Sequence, residues 1–87
     1  MTAQPRSEEL NLGQRRMEAL ALLDRLTSTE RAILKAVVAG HSKAEIGTRL
    51  KLADAVLDQS HASMMQKLRA GRAADVVRIG LYAGLGS

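Results

Sequence analysis

The stretch "TSTERAILKAVVAGHSKAEIGTRLKLADAVLDQSHASMMQKL", residues 27–68, decides the fold. Twice within it a hydroxyl residue is followed three positions later by glutamate, Thr27 with Glu30 and Ser42 with Glu45. Each pair predicts a capping box, in which side chain and backbone satisfy one another's hydrogen bonds at the start of a helix. The first helix is expected over 28–39, with Ile33, Leu34, Val37 and Val38 on its buried face and Gly40 as its stop. The second, over 43–50, turns Ile46 and Leu50 inward and is only about two turns long. "KLA" at 51–53 leaves room for nothing but a tight turn plugged by Leu52, and a longer helix is expected from Asp54 to about Arg69. Leu57, Met64 and Leu68, spaced i, i+7 and i+11, mark its inner side.

On either side of this stretch the chain remains helical in pattern. Residues 1–6, polar and holding the only proline, Pro5, read as a disordered tail. Residues 7–26 read as an N-terminal helix, strongest in "QRRMEALALLDRL" after Gly13, where Met17, Leu20 and Leu23 fall on overlapping faces. Downstream, "RAGR" closes the long helix, and a last one over 72–83 carries Val76, Val77, Ile79, Leu81 and Tyr82 ahead of Gly84 and Gly86. No alternating strand pattern and no repeat is visible, so the expected class is all-α, with residues 27–87 as one domain.

Composition narrows the chemistry. Without cysteine there is neither a disulfide nor a thiolate metal site, and two histidines, His41 and His61, do not make a zinc site by themselves. No nucleophile–base pair, carboxylate dyad, phosphate loop or metal cluster is recognisable, so neither an enzyme nor a cofactor is expected. The N-terminus lacks an apolar stretch behind its charges and no run is long enough to span a bilayer; a cytoplasmic protein without a membrane partner is expected. Tyr82 is the only aromatic residue, which removes the stacking platforms of single-strand binders and favours duplex if nucleic acid is the partner. Charge is uneven: residues 1–26 are neutral, whereas nine Lys or Arg face five acids from residue 27 onward. All of the net charge of +4 therefore sits in the domain, as a phosphate-binding module requires.

In combination, Leu26-Thr27 with Glu30, "VVAG" ending at Gly40, Ser42 with Lys43, Glu45-Ile46, Leu50, Leu57, Met64, Lys67-Leu68 and Val77-Arg78 resemble the LuxR/GerE helix-turn-helix domain. That domain forms the output half of FixJ- and NarL-like response regulators; the resemblance covers residues 26–85, and the helix ending "LLDRLT" looks like the linker ahead of such a domain. No receiver domain is read in these 87 residues. The resemblance implies four helices, the third docking in the major groove and the fourth used to dimerise. It departs from the family where DNA is touched. Val56 replaces a phosphate-contacting threonine, Asp58 a basic residue, Ser60 a histidine, His61 a frequent arginine and Ala62 a lysine or small polar residue. Lys51 stands for the family's turn glycine and Ala53 for its serine cap, a role Asp54 is expected to take over.

On this reading the chain is a transcriptional regulator that binds double-stranded DNA as a homodimer. Lys43, Arg49, Lys51 and Lys67 are expected on phosphates. Val56, Asp58, Gln59, His61 and Ala62 are expected at the groove, with Gln59 the base reader, because glutamine pairs bidentately with adenine. Val77, Leu81 and Tyr82 are expected at the dimer interface. The long helix is itself neutral, Asp54 and Asp58 balancing Lys67 and Arg69, so a second reading stays open. There the scaffold is a protein-interaction module that modulates a regulator or a DNA-binding relative, docking through Met64, Met65 and its Val/Leu surfaces.

Overall fold

A computed structural model describes the backbone from Ala3 to Leu85 and the side chains from Leu12 onward. Five helices and no strand occur among the described residues: α1 Ala3–Leu23, α2 Ser28–Val38, α3 Lys43–Leu50, α4 Asp54–Lys67 and α5 Ala73–Tyr82. Helix α2 is the hub, in contact with α3, α4 and α5, while α1 lies along α5 and extends the molecule to 56 Å in its long dimension.

Both capping boxes form as the sequence predicts. The Thr27 hydroxyl accepts from the Glu30 amide at 3.1 Å while Glu30 Oε1 accepts the Thr27 amide at 2.8 Å, and Ser42 and Glu45 do the same at 3.2 and 2.8 Å. Asp54 does not take over the missing cap of α4. The helix starts one residue past Ala53, whose methyl offers no acceptor, and Asp54 is already its first helical residue.

At their C-termini α2 to α5 close in one way. The first residue beyond the cap, or in α3 the cap residue Lys51 itself, turns left-handed and the next amide reaches back five residues: His41 to Ala36, Leu52 to Gly47, Ala70 to Met65 and Leu85 to Gly80, at 2.9–3.0 Å. Gly40 and Gly84 serve two of these turns at φ 89° and 87°. Lys51 and Arg69 serve the others at φ 56° and 55°, where the Cβ of each costs about 1 kcal/mol. Within "RAGR", which closes α4, the left-handed residue is Arg69, and nothing in its side chain announces it.

The core joins Leu26, Ile33, Leu34, Ile46, Leu57, Met64, Leu68 and Val76, with Val37, Val38, Leu50 and Leu52 packed on its margin. The helical phase read for α2, α3 and α4 is therefore the observed one. Helix α5 comes so close to α2 at Gly80 that a Cβ there would collide with Val38 Cγ2.

Helix α1 differs from expectation in extent and phase. Residues 3–6 belong to it, since Pro5 falls in its first turn, where a missing N–H costs no hydrogen bond; residues 1 and 2 lie outside the described part. It ends at Leu23, with 24–26 forming a turn. Its inward residues are Ala19, Leu22 and Leu23, whereas Met17 is 73% exposed and Leu20 42%. Small Ala19 permits the approach to α5. Arg15 fixes it there, with its guanidinium 5.6 Å from the Tyr82 ring centroid and 2.8 Å from the Tyr82 hydroxyl.

One polar group enters the core. Glu30 is 4% exposed, and its Oε1 accepts from Lys67 Nζ, at the far end of α4, at 2.8 Å. Burial alone would push its carboxyl up. Hydrogen bonds from Lys67, Ser63 and the Thr27 amide, with the charge of Lys67, outweigh that and hold it at about 2 instead of 4.5.

Leu57→Ala or Leu68→Ala should cost about 2–5 kcal/mol in chemical denaturation, since each empties a site enclosed on all sides. Lys51→Gly and Arg69→Gly should each raise stability by about 0.5–1 kcal/mol through the relieved backbone. Because the folded pKa of Glu30 lies below its unfolded value, the stability it supplies is present above about pH 4.5 and lost as pH falls from there through about 2. Thermal unfolding should show that loss, and Glu30→Gln, though less stable at neutral pH, should flatten it.

Candidate nucleic-acid interface

Helices α3 and α4, joined by Lys51–Ala53, present one end of the molecule. The left-handed Lys51 and the Leu52 amide, bonded to the Gly47 carbonyl at 3.0 Å, reverse the chain within three residues, and half-buried Leu52 plugs the corner. Leu57, Met64 and Leu68 fasten α4 to the core, which turns its opposite side to solvent.

That outer side is an exposed stripe of Ala55, Gln59, Ala62 and Gln66 at i, i+4, i+7 and i+11, flanked by Val56, 46% exposed, and by Asp58. Gln59 and Ala62, expected at the groove, lie on the stripe, and Val56 and Asp58 on its two borders. Ala55 and Gln66 complete the stripe. Their signal was the same i, i+4, i+7 spacing, counted from the polar face instead of the apolar one.

His61 lies off the stripe, in a cleft beside it. It lines this cleft of about 280 Å³ with Val37, His41, Lys43, Ile46, Leu57, Asp58 and Ala73, between α4 and the elements α2, α3 and the start of α5. A 3.6-residue period places residue 61 only about 40° from Leu57, which is why it turns away from the stripe.

The expected phosphate contacts separate into two kinds. Arg49 and Lys51 are exposed at the end of α3 and in the turn beside it. Lys43 Nζ instead contacts Asp58 Oδ1, joining the first residue of α3 to the second turn of α4; that hydrogen bond, the Asp58 charge and the nearby Asp54 raise the Lys43 pKa. Both side chains stay 60% exposed. Lys67 is engaged by Glu30 and, nine residues beyond Asp58, lies about 14 Å farther along the helix. Lys43, Arg49, Lys51, Val56, Asp58, Gln59 and Ala62 thus fall on α3, the turn and the first half of α4; Lys67 lies apart from them, while His61 stands off the stripe but shares its cleft with Lys43 and Asp58.

On α5 the inner face, Val76, Gly80 and Ala83, is buried. Val77 is half-buried and Leu81 is 54% exposed. Tyr82, grouped with them in the sequence, is turned to α1 and bonded by Arg15.

Among the described residues no group of three His, Asp or Glu is placed to hold a metal ion, and no helix is long and apolar enough to cross a membrane. No curated protein and no solved structure matches the chain. Residues 24–79 match the model of the bacterial regulatory proteins, luxR family. This covers more than half of the 87 residues, and it spans α2, α3, the turn and α4. The chain therefore belongs to the luxR family of bacterial regulatory proteins and carries that family's DNA-binding helix-turn-helix domain.

Proposed function

We propose that this chain regulates transcription by docking the Ala55–Gln59–Ala62–Gln66 stripe of α4 in the major groove of duplex DNA. The supporting observation is the exposure of that stripe, whose start follows the turn that holds exposed Arg49 and Lys51, which would rest on the phosphates flanking the groove. Small alanines let the helix backbone approach base edges. Gln59, at the centre, offers both donor and acceptor to adenine. Asp58 limits affinity for arbitrary sequence in two ways: it repels phosphate, and it engages Lys43. That leaves few free cations for counterion release, which favours modest non-specific binding.

A second reading has its own observation: two of the four expected phosphate contacts, Lys43 and Lys67, are taken by carboxylates of the chain itself. A face so depleted of free charge also suits docking on a protein regulator. Salt-dependent binding to random duplex distinguishes the two. Asp58→Lys should steepen the log–log slope by about 0.9 for each phosphate newly neutralised, with the new lysine and the released Lys43 both able to reach one. Gln59→Ala should lower affinity only for the preferred sequence. A wild type that ignores duplex at about 50 mM salt, beside an Asp58→Lys variant that binds, would favour the protein-docking reading.

We further propose a homodimer through the outer face of α5, centred on Leu81 and Val77 with Tyr82 at its margin. A leucine exposed beside a half-buried valine, on a helix whose inner face is already packed, is the support for this pairing. Leu81→Glu should yield monomers in sedimentation at tens of micromolar, about where a weak dimer would show. A monomeric wild type there would overturn the dimer.

A further inference from the structure

The contact between Lys43 and Asp58 is more than a surface ion pair, because of where it stands. It bridges α3 to α4 on the border of the exposed stripe, one residue from Gln59 and at the rim of the cleft that His61 lines, with both side chains 60% exposed. Resting on the reading of α4 as the groove-docking helix, we infer that Lys43 and Asp58 act together as a single reader of one G·C base pair.

Donors and acceptors left free on the pair match those on the base edges. An ammonium has three donors, and one of the three on Lys43 is directed to Asp58, leaving two. The Asp58 carboxylate accepts that bond and keeps lone pairs for further donors. The free valences of the pair are therefore donor, donor, acceptor, side by side. Across its major-groove edge a G·C pair shows acceptor, acceptor, donor: guanine N7, guanine O6 and the cytosine amino group. The two sets are complementary in order. An A·T pair shows acceptor, donor, acceptor and then the thymine methyl, so Lys43 would meet an adenine donor or Asp58 a thymine acceptor.

Pairing also answers the objection to an aspartate near phosphate. An unaccompanied carboxylate would be repelled, whereas Lys43 neutralises it and fixes its position between two helices, which lowers the ordering cost of the contact. A neutral reader adds discrimination without adding affinity for random sequence. Nearby charges fit this role: Asp54 acts on Lys43 from the start of α4, and Glu45 is occupied by Ser42 and influenced by His41 and Arg49. Neither of these carboxylates forms the contact with Lys43, which Asp58 makes.

The test is selection of sites from randomised duplex by the full chain, followed by affinity measurements on the selected site. The expected result is one fixed G·C position whose change to A·T weakens the wild type about tenfold. Lys43→Met and Asp58→Ala should each erase that preference while leaving the others, and the double variant should lose no more than either alone. Replacing the guanine with 7-deazaguanine should weaken the wild type and not Lys43→Met. As both residues are exposed, circular dichroism should show every variant folded. Duplex binding with no such position, or with its preference intact in both variants, overturns the inference and leaves the duplex reading standing. A wild type that binds no duplex overturns both.

Discussion

The arrangement of the domain depends on one carboxylate. Glu30 Oε1 accepts the Thr27 amide that opens α2 and the Lys67 ammonium that ends α4, so a single buried oxygen sets the start of the central helix and the far end of the exposed one. A charge this deep, left alone, would oppose folding by several kcal/mol. Its three hydrogen-bonding partners arise from local geometry: the capping box supplies the Thr27 amide, while Ser63 and Lys67 stand four residues apart on one side of α4. With α2 in contact with α3, α4 and α5, an error in α4's placement would pass to every neighbour.

Fold legibility followed from features that act over three or four residues. The capping boxes, the α3 bounds and the inward phase of Leu57, Met64 and Leu68 were all readable, because hydrogen-bond reciprocity and a 3.6-residue period are local rules. Helix α1 was less legible. Its leucines and methionine satisfy that period on more than one face, and the face chosen depends on Arg15 meeting Tyr82, sixty-seven residues away. The left-handed Arg69 was illegible for the same reason, since tertiary packing of Leu68 and Ala70 imposes it on a side chain with no preference for it.

The site was half legible. The sequence marked the bounds of α3 and the turn before α4, and it singled out Asp58 as a departure from the family's pattern. It did not reveal that Asp58 and Lys43 meet, since fifteen residues and a turn separate them, nor that Lys67 turns inward to Glu30. Charge arithmetic counts cations without regard to their partners. Lys43, Lys67 and Arg78 are each paired with a carboxylate, which leaves Arg49 and Lys51 to define the field at the α3–α4 end.

Helix α4 is fastened unequally. Its last turn is held by Lys67, Leu68 and the closure at Arg69, while its first follows an alanine that caps nothing. Amide hydrogen exchange should therefore be graded along it, fastest over 54–56 and slow from Met64 onward, because local opening begins where fewest bonds must break. The solvent-facing stripe begins in that loosely held turn. A ligand that docks there must order the turn, adding unfavourable entropy to a favourable enthalpy, and the first turn of α4 stays adaptable while the opposite end remains fixed to the core.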